Sequence, residues 1–392
     1  MTVGLDGLSR LFARRTRADV GEGISAILAL SSAEDVISFA GGLPDPAVFP
    51  GSVLAEIFEG LLGDPTAFQY GPTAGLPGLR ERLAARLERL QGLRPGADDL
   101  IVTSGAIEGL ELVGKAFLDP GDLVAVEGPT YLGAIMAFRS FEARVKAVPM
   151  DAGGLVVDAL DALDGERPKL VYTIPDHQNP TAVSLAVDRR RALVELARRN
   201  RFVIIEDVAY RELGFDEASP PSLWSLGPDV VVQLGTFSKT FFPGVRLGWA
   251  AGPASVVSRL VAAKQNTDQC AGALGQRLLE EYERRGHLDA QIVRARELYA
   301  RRCRLMLDAL ARHLAGRAEW TRPRGGFFTW VTFAPGTDAV DLARRAAQAK
   351  VAFAPGPLFY PDGRGAAQAR LSFSKVRDED IDQGIARLAA LL

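Results

Sequence analysis

Cysteine and histidine are scarce in this chain: 392 residues hold two cysteines, Cys270 and Cys303, and three histidines. The cysteines lack a metal-ligand spacing and the histidines are scattered, so neither a disulfide scaffold nor a metal site is expected. Charge of one sign is missing too. Lys and Arg number 46 against 48 Asp and Glu, a net charge of -2. No polybasic face invites nucleic acid or an anionic membrane. The arginine-rich stretch 1–20 is broken by Gly4 and Gly7. It has neither the apolar core of a secretory signal nor the length of a membrane span. A GxGxxG turn after the first strand, which a nicotinamide cofactor would want, does not stand there either. These absences lead to the expectation of a soluble, cytoplasmic protein with no metal, nucleic-acid or membrane partner.

What is present is apolar residue, at 47% of the chain, and length enough for two domains. An N-terminal arm with an apolar helix over Gly23–Leu30 is expected within 1–35. Short β-branched runs then alternate with helical patterns, which predicts a mainly parallel sheet covered by helices. Strands are expected at Val36–Ala40, Leu100–Thr103, Leu123–Val126, Lys169–Ile174, Phe202–Glu206, Asp229–Gly235 and Gly248–Ala250, and one long helical run over Ala273–Leu314. From about Trp320 the character changes to a small α+β unit, with strands expected at Phe327–Phe333, Val351–Ala354 and Ala369–Ser374. The division is therefore 1–35, a large unit over 36–315 and a small one over 316–392.

Chemistry collects where strands end. Ser104-Gly105-Ala106 follows one strand and opens a helix, whose free first-turn N–H groups suit an anion. Tyr131 lies at a strand-to-helix handover, where its ring would cover a flat ligand or simply pack. Asn179 stands in the loop 175–181. Asp207, directly after a buried strand, needs a partner, because an unpaired buried charge is costly; it reads as a helix cap or as the partner of a protonated ring nitrogen. The segment 236–250 brings Thr236, Ser238, Lys239, Pro243, Gly244 and Arg246 together. Arg246 offers a fork to phosphate oxygens. In an open α/β sheet, ligands bind at such carboxyl ends. A phosphorylated pyridine accounts for the whole set. Asp207 would keep its ring nitrogen protonated, and Asn179 and Tyr210 would bond its phenolate oxygen. Ser104, the following N–H groups, Thr236, Ser238 and Arg246 would hold the phosphate, and Lys239 is the amine able to form a Schiff base.

In order and distance, FAGGLPD at 39–45, QYGPTAGLPGLR at 69–80, HQNPT at 177–181, EDVAY at 206–210 and SKTFFPGVRLGWA at 238–250 resemble the fold-type I pyridoxal-phosphate enzymes of the class I/II aminotransferase family. The nearer resemblance is to the 2-aminoadipate and kynurenine aminotransferase branch. It covers nearly the whole chain. It implies a large domain with a mainly parallel seven-stranded sheet covered by helices, plus a small α+β domain, with pyridoxal 5′-phosphate as cofactor. By the resemblance Lys239 also shuttles protons, Tyr131 stacks on the ring, and Arg370 clamps the substrate α-carboxylate. Gly41-Gly42 lines the substrate pocket. Tyr70 reaches the neighbouring subunit's cofactor phosphate, which implies a homodimer. The same catalytic domain occurs in MocR-type regulators, but no DNA-binding part is expected here. Two positions depart from the aminoadipate pattern: Ser25 stands where an arginine would read a distal acid, and Asp176-His177 precedes the QNPT motif. Both turn the expectation toward a neutral branched or aromatic L-amino acid donor and a 2-oxo acid acceptor.

Overall fold

The computed structural model describes residues 11–17 and 35–392, apart from 162, 164 and 216–218. Ser25 and the helix expected over 23–30 lie outside the described residues. In chain order the first strands are Ile37–Ser38 (β1), Leu100–Thr103 (β2), Leu123–Gly128 (β3), Arg144–Asp151 (β4), Gly154–Leu155 (β5), Leu170–Thr173 (β6), Val203–Asp207 (β7), Val231–Thr236 (β8) and Gly248–Ala251 (β9). After them come Ala318–Trp320 (β10), Phe328–Phe333 (β11), Val351–Ala352 (β12), Ala354–Pro355 (β13) and Gln368–Ser372 (β14).

The large sheet runs β2-β9-β8-β7-β6-β3-β4-β5. Strands β8, β7, β6, β3 and β4 are parallel. Strand β9 lies antiparallel between β8 and β2, so β2 points the same way as β8. Seven strands make the sheet, and the two-residue β5 adds an antiparallel edge. Burial on both faces explains why the central strands read as unbroken apolar runs. Along β3, Val124 and Val126 enter one apolar cluster, while Leu123 and Ala125 enter the other. Successive side chains thus serve opposite faces. Helices Ala106–Phe117 and Leu132–Ser140 feed the first cluster, and Pro77–Gln91 and Val187–Asn200 the second.

The second sheet is antiparallel, β10-β11-β14-β13, and carries helices Ala339–Gln348 and Asp378–Ala389. A short parallel pair, β1 with β12, ties the residues near 37 to those near 351. Among the described residues, no helix is long and apolar enough to cross a membrane.

Three expectations need correction. Strand β4 was not anticipated, because its outer half carries Arg144 and Lys146 and no apolar run marks it. The long helical run is two helices, Ala273–Arg284 and His287–Leu314, broken where Gly286 takes φ 74°. That left-handed backbone comes at little steric cost to glycine. The strand expected over Val351–Ala354 divides at Phe353, with β12 pairing β1 and β13 pairing β14.

Candidate active site

The parallel strands all release their chains at one edge of the sheet, and a cavity of about 300 Å³ opens there. It is lined by Gly42, Ala106, Tyr131, Asn179, Asp207, Tyr210, Thr236, Ser238, Lys239, Arg246 and Arg370, together with apolar Leu43, Ile107, Leu132, Ile174, Phe328 and Phe359. Residues more than 300 positions apart in sequence therefore meet in one chamber.

Lys239 follows β8, and its Nζ donates to the Gly42 carbonyl at 2.8 Å. The ammonium also stands 5.7 Å from the centre of the Phe327 ring. Burial, with help from Arg370 and Arg246, brings the amine down to about 8, although Asp207 works in the opposite direction. Asp207 ends β7 and is buried. Its Oδ2 accepts from the Tyr172 hydroxyl at 2.9 Å and its Oδ1 from the Ala209 N–H at 3.1 Å. Burial still pushes this carboxyl above its ordinary value. Tyr131 caps the helix Leu132–Ser140, and burial, then Asp207, pushes its phenol up to about 12.

Arg370 reaches in from β14. Its Nη1 donates to Asn179 Oδ1 at 2.9 Å and its Nη2 to the Ala40 carbonyl at 2.6 Å. The guanidinium lies 4.2 Å from the centre of the Phe328 ring and 4.8 Å from that of Phe359. Burial lowers it to about 10, so it stays charged at neutral pH. Its Nε is buried with no hydrogen-bond partner among the described residues. Asn179 also favours the ionised Tyr210 hydroxyl, but burial outweighs it and pushes that phenol up strongly.

Beside the amine lies an anion cradle. Gly105 takes φ 93°, and a Cβ added there would come within 2.8 Å of Arg246 Nη2. Arg246 itself has φ 52° and spans toward the carbonyls of Pro243 and Ser104. Thr236 Oγ1 donates to Ser238 Oγ at 3.0 Å, and the Ser238 N–H donates back to Thr236 Oγ1 at 3.1 Å. Ser104 behaves differently. Its hydroxyl donates to Asp268 Oδ2 at 2.7 Å and its N–H to Glu108 Oε2 at 2.6 Å, and it does not line the cavity. Both carboxylates pair with the buried Lys264. The hydroxyl proton is thus directed away from the chamber, while Ala106 faces it.

Other expected residues fall elsewhere. Tyr70 is 78% exposed and outside the cavity of this chain. Asp176 is buried between Arg190 at 2.6 Å and Arg211 at 2.7 Å. The His177 ring stands against Gly325, where an added Cβ would lie 2.5 Å from its Cε1. Neither residue lines the cavity, so the Asp176-His177 departure carries no weight on the substrate. Sequence reading missed Tyr172, the side-chain donor to Asp207. It also missed Glu127, which accepts from Thr173 Oγ1, the Ile174 N–H and Gln178 Nε2 beneath the same loop.

This donor set fits a phosphorylated pyridine aldehyde. The chamber holds an amine brought down to about 8, a fixed buried carboxylate, an aromatic ring and a glycine-walled arginine cradle, gathered from several strand ends.

The comparisons agree with that geometry. The family model for "Aminotransferase class I and II" matches residues 34–388. The aromatic-amino-acid aminotransferase 1 of Thermococcus litoralis is 36% identical over 376 residues, covering 93% of this chain and 90% of that protein. The crystal structure of Pyrococcus horikoshii kynurenine aminotransferase superimposes with a TM-score of 0.93 at 36% identity, over 98% of this chain and 97% of that one. The alpha-aminoadipate aminotransferase of Thermus thermophilus, crystallised with N-(5′-phosphopyridoxyl)-L-leucine, gives a TM-score of 0.91 at 36% identity, over 98% and 97%.

Proposed function

The chain belongs to the class I and II aminotransferases and is a pyridoxal 5′-phosphate-dependent enzyme of the aminoadipate and kynurenine aminotransferase branch, and from that premise we propose that it moves the amino group of a neutral branched or aromatic L-amino acid to a 2-oxo acid by a ping-pong reaction. The observation that carries the substrate class is the cation inventory of the cavity. Among the described lining residues, the cations are Lys239, Arg246 and Arg370. Each already has an assignment in this reading: amine, phosphate and α-carboxylate. None is left to offset a distal carboxylate, whose uncompensated burial is costly. Leu43, Ile107, Leu132, Phe328 and Phe359 offer apolar surface instead.

The cofactor, when bound, supplies an aldehyde that takes up the amino group and a pyridine ring that accepts the electrons released at the α-carbon. The protein does the rest. Arg370 holds the α-carboxylate through its fork, using the Nε that otherwise lacks a partner. Lys239, brought down to about 8 by burial, carries a lone pair at mildly alkaline pH and takes the proton from the substrate α-carbon. Asp207 holds the proton at the ring nitrogen, and Asn179 with Tyr210 bonds the ring oxygen. Tyr131 covers the ring face. Gly105, Ala106, Thr236, Ser238 and Arg246 take the phosphate; Ser104 supports the turn from behind through Asp268 and Glu108.

The cofactor-binding unit is read as 36–315 and the substrate-closing unit as 316–392; most of the expected arm 1–35 lies outside the described residues. The assembly is read as a homodimer. Leu62, Phe68 and Tyr70 follow one another along the chain at 59%, 55% and 78% exposure, apolar surface that a second copy would cover and through which Tyr70 would reach the partner's site.

The test is a donor panel: kcat/KM for leucine, valine, phenylalanine, glutamate and 2-aminoadipate at one 2-oxoglutarate concentration. Leucine, valine or phenylalanine should lead. A tenfold lead for 2-aminoadipate, about 1.4 kcal/mol of transition-state preference, would overturn the neutral-substrate reading.

A further inference from the structure

We propose that Tyr172 is a positioning residue that holds the Asp207 carboxylate ionised and in one orientation toward the cavity. The inference rests on reading Asp207 as the partner of the cofactor ring nitrogen.

Tyr172 lies in β6, between Val126 of β3 and Ile205 of β7, and is wholly buried. Its ring meets Phe138 edge-on at 5.9 Å, on the helix that Tyr131 caps. The phenol therefore cannot swing away from its strand. Among the described residues, the donors to Asp207 are Tyr172 Oη on Oδ2 and the Ala209 N–H on Oδ1. One donor per oxygen, from two different elements, fixes the plane of the carboxylate and leaves its remaining lone pairs for the cavity.

The ionisation matters as much as the orientation. A protonated Asp207 would keep only a neutral carbonyl oxygen as acceptor and lose the negative charge that holds a proton on the ring nitrogen. Burial favours that protonated form. The other titratable groups around Asp207 do not donate to it. Glu127 of β3 accepts from Thr173, Ile174 and Gln178, and burial raises it to about 7. Lys239 donates to Gly42. Tyr210 and Tyr131 line the cavity. Burial also keeps the Tyr172 phenol far above its ordinary value, so it remains a proton donor across the working range.

Tyr172→Phe keeps the ring and its packing on Phe138 and removes the donor. Two readouts follow, both taken in a Glu127→Gln background so that Glu127 does not titrate in the same window. The acid limb of the kcat profile should move up by about one pH unit, the scale set by a hydrogen bond to a charged group. The affinity of the apo-protein for pyridoxal phosphate at pH 7, read by fluorescence quenching, should fall about tenfold and recover at higher pH. With Asp207→Asn in place, Tyr172→Phe should change neither readout further. 3-Fluorotyrosine at position 172, a stronger donor, should move the acid limb down. An unmoved limb and affinity in folded Tyr172→Phe, or an equal loss when Asp207 is already asparagine, would overturn the proposal. Should Tyr172→Phe not fold, an unmoved limb in the fluorotyrosine protein would overturn it instead. The underlying reading fails separately, if Asp207→Asn alone leaves rate and affinity at wild-type values.

Discussion

Replacing Arg370 by lysine keeps a positive charge and removes a fork. The guanidinium now serves Asn179 Oδ1 at 2.9 Å and the Ala40 carbonyl at 2.6 Å while holding Nε in reserve. An ammonium is a compact point charge with a different directional set of donors, and it cannot span both partners and also meet a carboxylate side-on. The loss is then about one charge-assisted hydrogen bond, about 1.5–3 kcal/mol. That corresponds to a fall of about 10- to 150-fold in kcat/KM. The α-carboxylate is common to every donor, so leucine, phenylalanine and glutamate should lose by similar factors. The assay is kcat/KM for these three in Arg370→Lys, with cofactor affinity and thermal melting as controls. The guanidinium stacks on Phe328 and Phe359, so a modest drop in melting temperature is expected as well. A change under threefold for all three, or a loss confined to glutamate, would refute the assignment of Arg370 to the α-carboxylate.

Three other outcomes are expected. The rate at which apo-protein takes up pyridoxal phosphate should rise with pH through about 8, because the buried Lys239 amine reacts only when deprotonated; a flat stopped-flow profile from pH 6.5 to 9.5 would count against it. Gly105→Ala places a Cβ 2.8 Å from Arg246 Nη2 at φ 93°, so cofactor affinity should drop at least about tenfold with a strain cost of about 1–3 kcal/mol, and melting curves with quenching titrations would check both. Asp176→Asn should cost about 3–5 kcal/mol in chemical denaturation with little change in activity per folded molecule, since it leaves Arg190 and Arg211 buried without their shared anion. Burial raises the Asp176 carboxyl, but Arg211 and Arg190 outweigh it and hold it below its ordinary value. Its contribution is therefore present above the ordinary carboxyl range and lost as pH falls through the depressed value, so the variant should show less acid destabilisation than the wild type.

The strand-end residues were legible because their chemistry is unusual for their place. A carboxylate after VIIE and a lysine after VVQLGTFS stand out against buried strands, and both enter the chamber. Tyr172 was not legible, since one aromatic residue in LVYT looks like any core side chain until Asp207 is seen across the sheet. The direction of the Ser104 hydroxyl is set by Asp268, 164 residues away, and no local pattern announces such a contact. Strand β4 hid behind its exposed charges, and the break at Gly286 behind helical residues on both sides. Asp176 and His177 looked available beside QNPT, yet Arg190, Arg211 and Gly325 enclose them.

One feature of the fold bears on how the pocket greets a visitor. The strip after β1 is stitched by its carbonyls: Phe39 O takes the Ser372 N–H, Ala40 O takes Arg370, Gly42 O takes Lys239 and Leu43 O takes the Ser374 hydroxyl. These oxygens act as an internal solvent for two buried cations. An arriving carboxylate meets a guanidinium already held by a carbonyl dipole rather than by a full shell of water, so Arg370 need not be stripped bare when its Nε takes the newcomer. The same arrangement screens callers. A simple amine, lacking the carboxylate, leaves the Arg370 Nε without an acceptor, and should pass through the pocket without being retained.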